Sequence, residues 1–241
     1  MTTARELASI ASLLADETRA ALCLALLDGR AWTAGELARH VGVARSTTTG
    51  HLHRLVGGGL LTEHRQGRHR YVALADASVA DLLEDLAARV EPGPSAPRGL
   101  RAVTADAALR RGRTCYDHLA GGLGVAVTDA MVRTGLLGAD TLTPAGTAWF
   151  ADTLTPAGAA WFADTLGEPL RPGRRPTARR CLDWTERRPH LAGAAGAALC
   201  AAFLGRTWVT RVGSGRAVRV TPAGTAALST LFGPDPRWQH R

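Results

Sequence analysis

Apolar positions recur at helical spacing through residues 1–90, interrupted by one strand-like stretch. Leu7, Ile10, Ala11 and Leu14 fall on one face of a first helix. Asp16 is placed to cap a second, in which Leu22, Cys23 and Leu26 face inward. Thr33 and Glu36 have the spacing of a capping box, Leu37 and Val41 give the next helix a buried stripe, and Gly42 suits a left-handed end. A further helix is predicted from about Ala44 to Val56, with Thr48, Leu52 and Leu55 inward at i, i+4, i+7. Its outer face then carries Arg45, Ser46, Thr49, Gly50, His53 and Arg54, with Thr47 beside them. The run LLTEHRQGRHRYVAL that follows reads as two strands about Gly67, with Arg65, Arg68 and Arg70 near the tip. Asp76 then caps a helix whose stripe is Val79, Leu82, Leu83, Leu86 and Val90. Helix, turn, helix and basic hairpin make a winged helix over residues 1–90.

Three prolines and a glycine in EPGPSAPR stop that last helix and predict a linker over 91–99. Residues 100–241 then form a second domain, and it is repetitive. DTLTPAGTAWFA (140–151) is followed at once by DTLTPAGAAWFA (152–163), with Thr143 or Thr155 as helix cap and Pro144 or Pro156 at the first helical position. A more distant repeat relates CYDHLAGGLGVAVTDAMVRTGLL (115–137) to RRPHLAGAAGAALCAAFLGRTWV (187–209), each followed by Thr-Pro-Ala-Gly. The stretch WVTRVGSGRAVRV after the second copy looks like another wing, and LAGGLGVA (119–126) resembles LARHVGVA (37–44). The fold expected is therefore mainly α with small β-wings, an α+β class. It comprises an N-terminal winged helix and a C-terminal helical domain of degenerate winged-helix-like repeats.

Charge sharpens the functional reading. The chain carries a formal +8, and every basic residue among its 29 is arginine. From Arg30 to Tyr71 there are seven arginines against two acids, so positive charge gathers on the predicted reading head, as a phosphate-contacting surface requires. Short hydroxyls and arginines on the Ala44 helix suit base edges and phosphates, and the wing arginines suit the flanking backbone. The alternative for such a helix pair is a winged helix used only for dimerisation or protein binding. Four scattered cysteines without CxxC pairing do not indicate a disulfide framework. No apolar run approaches membrane-spanning length, and the N-terminus, amphipathic and containing acids, is unlike a signal peptide. A cytoplasmic protein with no membrane partner is expected. No P-loop, GxGxxG, GxSxG or HExxH motif is present, so an enzyme is not expected.

The segment from Leu14 to Leu74 resembles the ArsR family of winged-helix transcriptional regulators. The likeness rests on Leu14-Ala15-Asp16 with Thr18-Arg19, Glu36-Leu37-Ala38, Ser46-Thr47 followed by His51-Leu52, and Gly59-Leu60-Leu61 leading to Gly67-Arg68. It implies a homodimer, paired through its first and last winged-helix helices, that binds palindromic operator DNA as a repressor with its Ala44 helices one DNA turn apart. The family commonly caps that helix with serine, where this chain has Ala44. The cysteines or Asp/His sets of the family's metal sensors are absent from TAGELARH and SVADLLEDLAARV, so metal sensing at those two places is not expected.

The second domain offers two candidate effector sites. Cys115 and His118, three apart on a presumed helical face, with Cys181, Asp183 and His190 from the paired copy, make a candidate soft-metal site for a transition-metal cofactor. The alternatives are that Thr114 and Asp117 cap a helix and that the histidines are packing residues. Trp149, Trp184 and Trp208 with Arg187 are candidates for a small-molecule effector cleft; a plain helical core serves equally well. Three readings follow: a repressor with an effector-sensing second domain, a metal- or thiol-responsive sensor, and a ligand-free architectural DNA binder.

Overall fold

A computed structural model describes residues 3–87, 89–90, 100–142, 148–171, 173, 175–213 and 215–239, the side chains at 100–103, 140–142 and 148–150 excepted. The expected linker over 91–99, and the first-copy cap at Thr143–Pro144, lie outside the described residues. Contacts divide the chain into two compact units, Met1–Leu83 and Glu84–Arg241.

The first unit runs α1 (Ala4–Leu14), α2 (Glu17–Leu26), β1 (Trp32–Thr33), α3 (Ala34–Val41), α4 (Arg45–Gly57), β2 (Leu61–Gln66), β3 (His69–Leu74) and α5 (Ala77–Ala87), the last straddling the division. Thr33 Oγ1 accepts from Glu36 N (3.3 Å) while the Glu36 carboxylate accepts from Thr33 N (2.8 Å), so the capping box starts α3 as the spacing predicts. Gly42 ends it at φ 79°, in the left-handed region that glycine enters without a Cβ penalty. Leu22, Leu26, Leu37, Leu52 and Leu55 are buried together with Thr48, which fixes the angle of α4 on α2 and α3. The sheet has order β1-β3-β2 and is antiparallel, with Gln66 opposite His69 across the Gly67 turn. Strand β1 was not anticipated: two residues carry no periodicity, and Trp32 is placed by its indole N–H donating to Asp28 (3.0 Å). Two amphipathic faces stay open. In α1, Leu7 and Ile10 are 65% and 42% exposed, and Leu82, Leu86 and Val90 in and just beyond α5 are exposed as well. Helix α5 ends at Ala87, short of the predicted Val90.

The second unit makes two passes through one pattern: hairpin, helix, hairpin, helix. The first pass, after α6 (Leu100–Arg111), is β4 (Arg113–Cys115), β5 (His118–Ala120), α7 (Gly121–Arg133), β6 (Leu137–Leu142), β7 (Ala148–Leu154) and α8 (Pro156–Asp164). The second is β8 (Arg179–Leu182), β9 (Pro189–Ala192), α9 (Gly193–Gly205), β10 (Val209–Arg211), β11 (Val218–Val220) and α10 (Pro222–Phe232), closed by a 3-10 turn at Pro236–Trp238. Each helix-plus-wing half is winged-helix-like, but a β-hairpin precedes it where a winged helix has helices. The likeness of LAGGLGVA to LARHVGVA is therefore not structural: Leu119 and Ala120 finish a strand, whereas Leu37 and Ala38 sit inside α3.

The repeat motifs acquire physical reasons. Gly121 and Gly193, at φ 71° and 82°, turn strand into helix, and a Cβ at either would press on backbone carbonyls at 2.7 Å. Thr155 and Thr221 cap α8 and α10 and also donate to Gly135 O and Thr207 O, tying each helix to the turn that leads into its wing. The glycine of Thr-Pro-Ala-Gly sits on backbone: a Cβ on Gly224 would lie 1.9 Å from Trp208 O, and one on Gly158 2.1 Å from Leu136 O. Gly224→Ala is therefore expected to destabilise the second unit by roughly 1–3 kcal/mol or more, seen as a lower urea midpoint; an unchanged midpoint would show that α10 is free to move. The tandem duplication yields a further contrast. AWFADTL at 148–154 is strand β7, while the same seven letters at 160–166 form the end of α8 and the turn after it. In the second copy the Thr155–Pro156 helix start sets the outcome, and local propensity alone does not.

Candidate DNA interface and a buried cysteine–histidine cluster

Along α4, Arg45, Ser46, Thr47, Gly50, His53 and Arg54 are exposed and Thr49 is half-buried. The face that the sequence assigned to DNA is thus turned to solvent while Thr48, Leu52 and Leu55 anchor the other. Thr49 Oγ1 donates to Arg45 O (2.9 Å), so its hydroxyl is folded back on the helix. His53 Nε2 lies 2.9 Å from an Arg70 guanidinium nitrogen, and Arg70 also pairs with Glu63, which ties helix to wing. Arg65 is 80% exposed on its side chain, and Arg68 Nε donates to His69 Nε2 (3.4 Å) at the tip. A groove of about 460 Å³ runs among α3, α4 and the wing, and Arg39, Arg45, Thr49, Arg68 and Arg70 line it. Its lining includes four arginines and no acid, so the groove favours a polyanion.

The second unit has a different centre. Cys115 and His118 face each other across the β4–β5 turn, and Cys181 and His190 do so across β8 and β9. They stand in hairpins, not on a helical face, and Thr114 and Asp117 are hairpin residues, not a cap pair. The hairpins meet: Cys115 Sγ and Cys181 Sγ are 3.8 Å apart, and the His118 and His190 rings are 5.1 Å apart. Reciprocal glycines lie at the contact. A Cβ on Gly124 would lie 3.7 Å from His190 Cβ, and one on Gly196 3.1 Å from His118 Cβ. All four side chains are buried.

Asp183 was grouped with the candidate ligands, and the structure gives it another place. Its carboxylate accepts from Arg113 Nη2 (3.0 Å), Gly121 N (2.6 Å), Thr185 Oγ1 (2.6 Å) and Glu186 N (3.0 Å), leaving it 3.5 Å from His190 Nδ1. Asp117, which the sequence reading left out of the cluster, plays the matching part. It accepts from His118 Nδ1 (3.2 Å) and is held by Arg175 (3.0 Å). The available signal was Cys-x-Asp, present in both hairpins as Cys115-x-Asp117 and Cys181-x-Asp183.

Electrostatics follow this geometry. Burial alone favours neutral His118, but the hydrogen bond to Asp117 and the neighbouring Cys181 outweigh it and lift the imidazole to about 9. Burial likewise opposes a charged Asp117, yet His118 and Arg175 bring it down to about 2. The Cys115 thiol is pushed far up by burial. Cys181 is pulled down by the hydrogen bond from Cys115 and by the two imidazoles, which makes it the thiol that ionises first. By contrast, burial raises Cys23 and Cys200 to about 12, the behaviour of small core residues.

The tryptophan candidates do not share a cleft among the described side chains. Trp184 stacks under the Arg113 guanidinium at 4.7 Å, and Trp208 packs on Phe203 at 5.3 Å with Arg206 over its ring. Trp149 lies outside the residues whose side chains are described. Arg187, exposed at φ 54°, forms the β8–β9 turn. A cavity of about 400 Å³ in this unit is lined instead by Arg110, Arg111, Leu123, Glu186, Arg219 and Arg237. No described helix is long and apolar enough to cross a membrane.

Comparison with known proteins bears on both units. Residues 14–64 match a helix-turn-helix domain family. An HTH-type transcriptional regulator of Bacillus subtilis, YdfF, is 38% identical over 227 residues, 92% of this chain and 95% of that one. The HTH-type transcriptional regulator CmtR of Mycobacterium tuberculosis is 42% identical over 80 residues, covering 33% of this chain and 67% of CmtR. Among solved structures, the homodimeric winged helix-turn-helix DNA-binding domain Mb0332 of Mycobacterium bovis is 26% identical, covers 34% of this chain and 75% of that one, and gives a TM-score of 0.33. The identity to YdfF extends through the second unit as well as the first. With that coverage, and a winged helix where the resemblance to the ArsR family places one, the chain belongs to the helix-turn-helix-type transcriptional regulators.

Proposed function

We propose that the chain is a homodimeric repressor that binds a palindromic operator, working in the cytoplasm. The observation that carries this is the shared placement of Arg45 and Thr49 of α4 and the wing residues Arg68 and Arg70 along one cationic groove, with the rest of the α4 outer face exposed. In this reading Arg45, Ser46, Thr47, Thr49, Gly50 and His53 face the major groove and Arg54 meets a phosphate. Arg65, Arg68 and Arg70 lie along the flanking backbone. The dimer is supported by apolar faces that nothing in their own unit covers: Leu7 and Ile10 on α1, and Leu82 on α5. Pairing them across a two-fold axis would remove that surface from water and present two α4 helices together.

Arg68→Ala tests the wing. Binding to all duplexes should weaken, and the slope of log affinity against log salt should fall by about one unit, the signature of one lost phosphate contact. An unchanged slope removes the wing from the DNA backbone. A transition metal as effector is the second reading, favoured by the convergence of Cys115, His118, Cys181 and His190; CmtR of Mycobacterium tuberculosis is a cadmium metal sensor. Operator affinity measured with and without added zinc, nickel or copper separates it from a ligand-free architectural protein, whose binding would ignore the metal and discriminate little between sequences.

A further inference from the structure

The centre of the second unit is built as a coordination site. The ligand atoms of Cys115, His118, Cys181 and His190 all lie within 4.8 Å of one another, and each residue is buried. A tetrahedral ion with metal–sulfur bonds of about 2.3 Å holds two thiolates roughly 3.8 Å apart, the edge of the tetrahedron. The sulfurs here are 3.8 Å apart. A disulfide would bring them to about 2.05 Å. Ordinary core packing accounts for the cluster no better, because the Nε2 atoms of both histidines are buried without a hydrogen-bond partner. A metal ion would satisfy both at once.

The surroundings fit as well. Each histidine has at its Nδ1 side the aspartate of its own Cys-x-Asp, Asp117 at 3.2 Å and Asp183 at 3.5 Å. At His118 the hydrogen bond to Asp117 holds the proton on Nδ1 and leaves the Nε2 lone pair for a metal; at His190 the Asp183 carboxylate is close but not hydrogen-bonded. Arg175 and Arg113 fix the two carboxylates in turn.

We infer that these four residues form a closed tetrahedral site for a zinc-class divalent cation, which clasps the two repeats of the second unit across their pseudo-two-fold axis. Two thiolates and two imidazoles suit that ion, and four protein ligands leave no open position for substrate. On binding, any protons on the two thiols and on the histidine Nε2 atoms are released to solvent, and the four atoms donate their electron pairs to the ion. The inference deepens the metal reading above but is independent of how α4 meets DNA.

The test uses the full chain, stripped with a chelator under reducing conditions and titrated with cobalt(II) or zinc(II) alone. About one ion per chain should bind, and cobalt should give the intense visible bands of a tetrahedral site with thiolate charge transfer. Cys115→Ser or Cys181→Ser should weaken binding by about 100-fold or more, and Asp117→Asn by about 10–100-fold with the stoichiometry kept. His118→Cys should keep a tetrahedral cobalt spectrum with stronger charge transfer. That variant and the wild-type titration decide the matter if a serine variant fails to fold. A wild-type chain that takes up no stoichiometric metal, or binds cobalt with the faint spectrum of octahedral oxygen ligands, overturns the inference. DNA binding by the stripped chain is measured alongside, so that loss of the metal site is not mistaken for loss of the operator reading.

Discussion

An Asp183→Ala chain should lose about 3–5 kcal/mol of stability from its second unit, the cost of stranding a buried charge. Arg113 and Asp183 are both fully buried, 3.0 Å apart. Arg113 also donates to Thr185 Oγ1 and Leu109 O and lies over Trp184, while Asp183 takes the Gly121 N–H that starts α7. Alanine at 183 would leave a guanidinium and a backbone N–H without their acceptor in an interior that water does not reach. The pair as such is not the source of stability. An Arg113→Met, Asp183→Leu double variant should recover much of the loss, because exchanging a buried ion pair for packed apolar groups is often neutral. Urea unfolding of the metal-stripped chain reads the effect free of any ion. Only the transition of the second unit should move, and equal losses in the single and double variants would show that Arg113 is not the stranded group.

Arg45→Ala and Ser46→Ala should each reduce discrimination between a preferred duplex and random sequence by roughly 1–3 kcal/mol, about five- to 150-fold. Both side chains are exposed on the first turn of α4, beyond the buried Thr48 and Leu52. Arg54→Ala, on the same helix, should instead weaken all duplexes alike, since a phosphate contact carries no sequence. Competition binding against specific and random duplexes separates the two patterns. Uniform weakening by all three substitutions would place the front of α4 on the backbone and out of the groove.

The contrast between the two units explains what the sequence could disclose. The winged helix was legible because its signals are local: a capping box at Thr33 and Glu36, the left-handed Gly42, inward positions at Thr48, Leu52 and Leu55, and a two-residue turn at Gly67. The cysteine–histidine cluster was legible as a set of residue types but not as a geometry. Cys115 and His118 are separated by two residues and Cys181 and His190 by eight, so equivalent hairpin positions look unrelated in the sequence. Their meeting also sets Gly124 and Gly196 beside the other repeat's histidine, a contact that no local pattern announces. Proximity in sequence likewise put Asp183 among the ligands, whereas its hydrogen bonds commit it to Arg113 and Gly121. AWFADTL shows the same limit at its plainest, since identical letters after almost identical residues adopt strand in one copy and mostly helix in the other.

Selection of duplexes from a random pool with the purified full chain, followed by counting chains per bound duplex, tests the regulator account most directly. The account predicts enrichment of an inverted repeat whose half-sites lie about 10–10.5 base pairs apart, or a multiple of that, with two chains on each duplex. A pool that shows no enriched motif, or binding that survives replacement of Arg45, Ser46 and Arg54 together, would contradict it.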